Sequence, residues 1–388
     1  EGYYEGYIEF MNKQLFTSIT FELKNGLQTA TVSTPDNMQL NMPFTEVCYN
    51  PPFIKLVLRD GTQNLELIGK AAGNEITGSL TGEIPAKVQF HRRDVQNQKS
   101  NYKIITLTLQ NKEVSLPANL YLPDSDKPTG AIIMICGTGQ HIKEEYNGWA
   151  HLLASKGVAV LTYDKRNVSS FPDLNIRSVS SDIVLPGVLE SDIEAGIRLL
   201  KSRKEINSNR IGLLGFSQGA VLAPVVAAGN TDISFIVAVS GNVTTDKDFI
   251  INQSVNKLRQ RNFGTDALSE TKELWEALFN YAKHKKNGVN IQKRLNKAYE
   301  KGFGQFSLPR YIPNNDELTY LSTWNSFEHD PCTYWSKLTI PSYVVYGGKD
   351  MFIPVDESIE LLKSIYKDKP GKLTIKYTRK QTTLLKSQ

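Results

Sequence analysis

The chain has 388 residues, comfortable for two domains. Its 40% hydrophobic and 22% charged content suits globular cores and excludes a disordered or fibrous class. The net charge of +5 is spread along the chain, and no run reaches the ~18 apolar residues of a membrane span, so neither a nucleic-acid partner nor a spanning helix is expected.

The densest basic cluster, Lys283, Lys285 and Lys286, reads as a solvated helix face. Cys48, Cys136 and Cys332 are odd in number and far apart, which gives neither a disulfide framework nor a metal pattern. The first residue is Glu1 rather than Met. That suggests a trimmed N-terminus, and removal of an export signal, with a periplasmic or extracellular location, is one explanation.

Residues 1 to about 96 read as an all-β accessory domain. Alternating runs such as "LFTSITFEL", "FIKLVLR" and "AKVQFHR" recur, with hairpin signals at Asn25-Gly26 and Asp60-Gly61. Their spacing predicts a small antiparallel sandwich or barrel. "DVQNQKSN" (94–101) is polar and reads as a linker to a second domain spanning 97–388.

The pattern then changes. "YKIITLTLQNKEVSLPANLYLP" predicts an antiparallel strand pair, and "GAIIMICGTG" a buried strand ending in a glycine loop. Helix, buried strand ("VAVLTYDKRN") and amphipathic helix ("LESDIEAGIRLLKSRKEI") follow. "RIGLLGFSQGAVLAPVVAAG" predicts strand, sharp turn and helix. "ISFIVAVSG" and "PSYVVYGGKD" predict strands, "DESIELLKSIYKD" a helix and "KLTIKYT" a last strand. Strands apolar on both faces and alternating with helices predict an α/β domain with a mostly parallel, doubly covered sheet. From about 243 to 335 the alternation stops. This helical, aromatic stretch predicts a cap inserted at the carboxyl edge of the sheet, with Trp275, Phe279, Tyr281, Tyr299, Phe303 and Phe306 as its core rather than as substrate contacts.

The chemistry centres on "GFSQG". A nucleophile on a tight strand-to-helix turn has a strained backbone and needs small neighbours. Gly215 and Gly219 supply them, and Ser217 is the candidate nucleophile. The intermediate of acyl transfer needs backbone donors for its oxyanion. The amide after the nucleophile, Gln218, is one; the loop "CGTGQ" supplies a second, assigned to Thr138. Asp350, just past "SYVVYGG", is the candidate acid, in the order Ser, Asp, His. No metal or organic cofactor is expected.

Four stretches carry a family resemblance: "CGTGQ", "LASKGVAVLTYDKRNVSS", "GFSQG" and "DPCTYWSKLTIPSYVVYGGKD". The chain resembles bacterial α/β hydrolases of the serine-aminopeptidase-like and esterase type that carry an N-terminal β domain. The resemblance implies an α/β-hydrolase fold with a helical cap and an acyl-enzyme mechanism on carboxylic esters, with amides as the alternative substrate. Two departures are plain. Cys136 stands where the family has His, and Asn167 where it has Gly.

The larger departure is the general base. The histidines are His91, His141, His151, His284 and His329, and none follows Asp350. His141 is nearest in sequence to the oxyanion loop but leaves the wrong strand for the usual Asp partnership; His284 and His329 read as surface or cap-packing residues. The family's last strand is commonly followed by Tyr-Pro-x-x-x-His, whereas this chain has "YTRKQTTLLKSQ". Codons compatible with that stretch, read from the third base of the Lys376 codon, permit "IYPKANHFIKKP" and place Asn-His over Gln381 to Thr383. The expectation is therefore a frame-shifted C-terminus and impaired activity. The alternative is a non-catalytic ligand-binding hydrolase fold.

Overall fold

The computed structural model describes residues 1–10, 13–60, 63–81, 85–94, 100–139, 141–166 and 187–378. Asn167, most of the expected linker and the whole segment expected to carry the base therefore lie outside the described residues. Two compact units emerge: Glu1–Leu109 with Ser115–Thr129 and Gln140–Lys165, and Gln110–Val114 with Gly130–Gly139 and Arg166–Gln388.

The first unit opens with nine strands: β1 (Gly2–Phe10), β2 (Lys13–Lys24), β3 (Leu27–Thr34), β4 (Gln39–Pro43), β5 (Glu46–Asn50), β6 (Phe53–Asp60), β7 (Gln63–Ala72), β8 (Glu75–Thr81) and β9 (Ala86–Arg93). Their order is β4-β3-β2-β1-β9-β8-β7-β6-β5. Neighbours run antiparallel, and β1 meets β9 with Gly6 opposite Phe90. The β2–β3 hairpin turns at Asn25 and Gly26, both with positive φ (52° and 80°), as a two-residue hairpin turn requires. The strands form one continuous sheet rather than two stacked ones. Residues of β2, β3, β4, β6, β7, β8 and β9, among them Ile19, Val32, Met42, Leu56 and Phe90, share a single core, so the sheet curls around its own apolar face. Sequence periodicity gives each strand's inward residues but not this closure, because β1 and β9 lie far apart in the chain.

The same unit holds α1 (Asn147–Ser155), which covers the edge strand β4. The Leu40 amide donates to Asn147 Oδ1 at 2.7 Å, Asn147 Nδ2 donates to the Leu40 carbonyl, and the Gly148 amide donates to Met38 O at 2.9 Å. This blunts an edge that would otherwise expose unpaired backbone groups.

The remaining strands are β10 (Tyr102–Asn111), β11 (Val114–Pro123), β12 (Thr129–Ile135), β13 (Ala159–Tyr163), β14 (Ile206–Phe216), β15 (Ile233–Val239), β16 (Ser342–Gly347) and β17 (Leu373–Thr378). They form an eight-stranded sheet in the order β10-β11-β13-β12-β14-β15-β16-β17. β11 and β13 pair antiparallel, while β14 through β17 run parallel. β17 is the edge strand, with Thr378 opposite Gly347. In the second unit α2 (Val188–Lys201) buries Leu189, Ile193, Ile197 and Leu200 at helical spacing. α3 (Gln218–Gly229) is apolar on nearly every side and buries Ala220, Leu222, Ala223 and Val226.

Between β15 and β16 lie α4 (Asp246–Arg259), α5 (Thr265–His284), α6 (Gly288–Glu300), α7 (Gly304–Ser307), α8 (Asn315–Tyr320), α9 (Ser322–Asn325) and α10 (Cys332–Trp335); α11 (Val355–Ile365) follows β16. This insertion has its own core, in which Trp275 stacks on Phe279 and Trp324. Phe303 is buried, Tyr281 and Phe306 pack against the core, and Tyr299 donates to Leu308 O at 2.8 Å. The insertion aromatics thus pack its core. Lys285 caps α5 in the left-handed conformation, so the basic cluster sits at a helix C-terminus, where cations oppose the dipole.

Candidate active site

Ser217 lies between β14 and α3 with φ 51° and ψ −112°. A non-glycine residue in this region is strained, and such strain persists only where the surroundings enforce it. Here they do. The Ser217 amide donates to Val239 O at 2.9 Å, and its carbonyl accepts from the Ala220 amide at 2.9 Å. The flanking glycines are required by contact. A Cβ on Gly215 would lie 2.1 Å from Gly219 O, and one on Gly219 would lie 2.2 Å from Ile135 O. Strand, turn and helix are therefore packed backbone to backbone.

The loop after β12 reaches the same place. Gly137 is buried, and a Cβ there would lie 3.4 Å from Ser217 Cβ. Thr138, the sequence choice for the second oxyanion donor, is the next residue and is exposed. Gln218 opens α3, so its amide sits at the positive end of that helix. The sequence alone does not show that Gly137 packs this close to Ser217.

Asp350 follows β16 on the same edge of the sheet and is half-buried. Its Oδ1 accepts from the Phe352 and Ile353 amides at 3.0 and 3.1 Å, which fixes the carboxylate. Only β15 separates β14 from β16, so the strands that lead to Ser217 and Asp350 lie roughly 10 Å apart. No described histidine follows β16.

The described histidines are otherwise engaged or remote. His91 and His284 are exposed on β9 and at the end of α5. In the first unit, His141 pairs through Nδ1 with Glu145, and His151 Nδ1 meets the Tyr102 hydroxyl. Burial pushes the His151 imidazole below its ordinary pKa. In the second unit, His329 pairs with Asp246. Among the described residues no cluster of three or more His, Cys, Asp or Glu could hold a metal ion.

One further feature escaped the sequence. Arg166 forms a bidentate pair with Asp192 on α2, with Nε at 2.7 Å, and Asn111 Nδ2 donates to the same carboxylate at 2.7 Å. Asp192 is 1% exposed, so this charge is held by fully directed donors. It ties the chain after β13 to α2.

The sheet order and the strand–Ser217–helix turn have the arrangement of an α/β-hydrolase fold. The family model described as the C-terminal region of BAAT and acyl-CoA thioester hydrolases matches residues 193–305, from within α2 through Ser217 into the insertion. Esterase EstD of Thermotoga maritima is 25% identical over 246 residues, covering 61% of this chain and 50% of that protein. Acyl-coenzyme A thioesterase 1 of Mus musculus is 30% identical over 132 residues, covering 34% of this chain and 28% of that one. The chain thus spans half the length, or less, of these curated relatives. Among solved structures, Pyrococcus horikoshii acylaminoacyl peptidase aligns over 95% of this chain and 57% of its own at 12% identity and TM-score 0.48. Pyrococcus furiosus esterase Pf2001 aligns over 74% and 86% at 15% identity and TM-score 0.44.

Proposed function

We propose that this chain is a serine hydrolase of carboxylic esters that works through an acyl-enzyme on Ser217. The observation that carries the reading is the strained Ser217 backbone, wedged between β14 and α3 by two glycine contacts. In the reaction a base takes the Ser217 proton as Oγ bonds to the ester carbonyl carbon. The amides of Gln218 and Thr138 hold the resulting oxyanion. Collapse breaks the bond to the alcohol, which leaves with the proton from the base. Water, deprotonated by the same base, attacks the acyl group and frees Ser217 and the acid. Asp350 orients the base.

The base is the part that this sequence lacks. We propose that it belongs to the alternative reading frame beyond Lys376, and that the chain as written is impaired. Loss of one triad member costs about 10⁴ to 10⁶ in rate and leaves only what binding and the oxyanion site supply. Such a chain behaves as a ligand-binding hydrolase fold.

A second substrate class has a specific observation behind it. The match over 193–305 to a family described by acyl-CoA thioesters favours thioesters beside oxygen esters. Amides, as cleaved by serine aminopeptidases, are the third option.

The test compares p-nitrophenyl esters, acyl-CoA thioesters and aminoacyl anilides on two chains: this one, and one carrying IYPKANHFIKKP after Lys376. The expected result is weak turnover by the first chain and at least ~10³-fold faster ester hydrolysis by the second. A folded second chain that gains nothing on any of the three substrates contradicts the proposal, and a gain confined to acyl-CoA or anilides reassigns the substrate.

A further inference from the structure

The helical insertion leaves the sheet after β15 and returns before β16, and its two connecting segments meet at a neck. The Asp246 amide donates to His329 O at 3.1 Å, and the Lys247 amide donates to Phe327 O at 2.9 Å. Cys332 Sγ donates to Val243 O at 3.4 Å. The side chains close the same junction, with His329 Nδ1 3.3 Å from Asp246 Oδ2 and both groups mostly covered (21% and 26% exposed). A small groove of about 280 Å³ opens beside it, lined by Lys247, Phe279, Phe327 and Glu328 among others. The outbound and inbound ends of a separately cored insertion are thus stapled by two backbone bonds, one thiol contact and one ionisable pair.

We propose that this neck is a pH-dependent clasp. The Asp246–His329 ion pair fastens the two segments while the imidazole carries its proton, and they loosen when it is lost.

The surroundings support this direction. Burial alone would push the His329 imidazolium down. The hydrogen bond and charge of Asp246, with Asp330 and Glu190 adding negative potential, outweigh it and hold the group above its ordinary value. These groups face His329 from three sides: Asp246 on α4, Asp330 next in the chain and Glu190 in the first turn of α2. The Tyr334 ring lies 5.4 Å from the imidazole. The nearby cations are directed elsewhere, for Lys247 lines the groove and Lys283 is tied to Glu328 at 2.6 Å. Glu190 Oε2 is buried without a hydrogen-bond partner, and burial raises its carboxyl above the usual range. The Cys332 thiol, pushed up to about 11 chiefly by burial and the Asp330 charge, keeps its proton throughout. His329 is therefore the neck group that changes charge near neutrality.

The sign follows from linkage. Because the folded pKa of His329 is raised, the contribution of the pair is complete below the ordinary histidine value of about 6.5. It is lost as pH rises through the raised value. The neck is tightest in mild acid and loosest in mild alkali.

The test is hydrogen exchange of the Asp246 and Lys247 amides, corrected for intrinsic chemistry, from about pH 5.5 to about pH 8.5. Protection in the unmodified chain is expected to fall roughly fivefold across that range, the size expected of a partly exposed pair. His329→Gln removes the step and leaves protection at the alkaline level, and Asp246→Asn does the same by the other partner. Cys332→Ala keeps the step. No step in the unmodified chain overturns the proposal, and so does a step that survives in His329→Gln or Asp246→Asn. The readout needs no catalysis, so it stands apart from the hydrolase reading.

Discussion

The turn at Ser217 and the neck of the insertion solve opposite problems. At the turn, residues 215–219 are held in one conformation by each other and by the backbone of the neighbouring strands. The glycine contacts are backbone to backbone, and Ser217 is held in a left-handed geometry it would not choose. At the neck, Asp246 and His329 come from opposite ends of a long insertion and meet through a pair that water partly reaches. The first arrangement is held by close backbone contacts. The second is polar, long-range and adjustable. The contrast sets a turn fixed by close backbone contacts against an insertion whose attachment rests in part on a partly exposed pair.

Four substitutions can break or sharpen that contrast. The largest effect is expected from Ser217→Ala in the chain that carries the shifted-frame tail, where ester hydrolysis should fall by at least ~10⁴. If, as proposed, the chain as written lacks its base, the same change there should alter the residual rate little, because triad members act as a unit. Initial rates on p-nitrophenyl butyrate measure both. A Ser217→Ala loss of equal size in the two chains would mean that a base is already present.

The next effect tests whether burial or sequence separation sets the energetic weight of a contact. Asp192 is as long-range as the neck pair but 1% exposed. Asp192→Ala leaves Arg166 without its carboxylate and should cost about 3–5 kcal/mol in urea unfolding. A cost under ~1 kcal/mol would show that the network is not desolvated.

Gly219→Ala comes third. Its Cβ would press on Ile135 O at 2.2 Å and Cys136 O at 2.7 Å, and neither is a flexible side-chain end. About 2–3 kcal/mol of destabilisation is expected, the range for overpacking a tight site. A neutral result would mean that the turn is looser than its contacts imply.

The smallest is Asn314→Ala in the insertion. Asn314 and Glu317 form a reciprocal capping box at the start of α8, with bonds of 2.8 and 2.9 Å. Its loss should cost about 1 kcal/mol.

How far the sequence announced all this follows the same division. The turn was readable because strand, glycines, serine and helix are contiguous. The insertion core was readable because aromatics such as Trp275, Phe279 and Phe303 gather in a helical stretch, and aromatics there more often pack a core than touch substrate. β17 was readable up to Thr378 as an alternating edge strand. Contacts between distant segments were not. The Asn25-Gly26 signal gave one hairpin, but nothing local announced that β1 would pair with β9. The approach of the loop at Gly137 to Ser217 follows from the path of the chain, which residue types do not encode. His329 read as a packing residue because its partner Asp246 lies on the far side of the insertion. The Asp192 network joins three segments, and each of its members looks ordinary alone.

The central claim is that Ser217 is the nucleophile and that only its base is wanting. It is tested most directly by treating the chain with the shifted-frame tail with a fluorophosphonate and mapping the adduct by mass spectrometry. The account predicts one probe per chain, on the peptide containing Ser217, and labelling at least ~10³-fold slower in the chain as written. An adduct elsewhere that survives Ser217→Ala, or no adduct on a folded chain whose ester turnover has been restored, would contradict it.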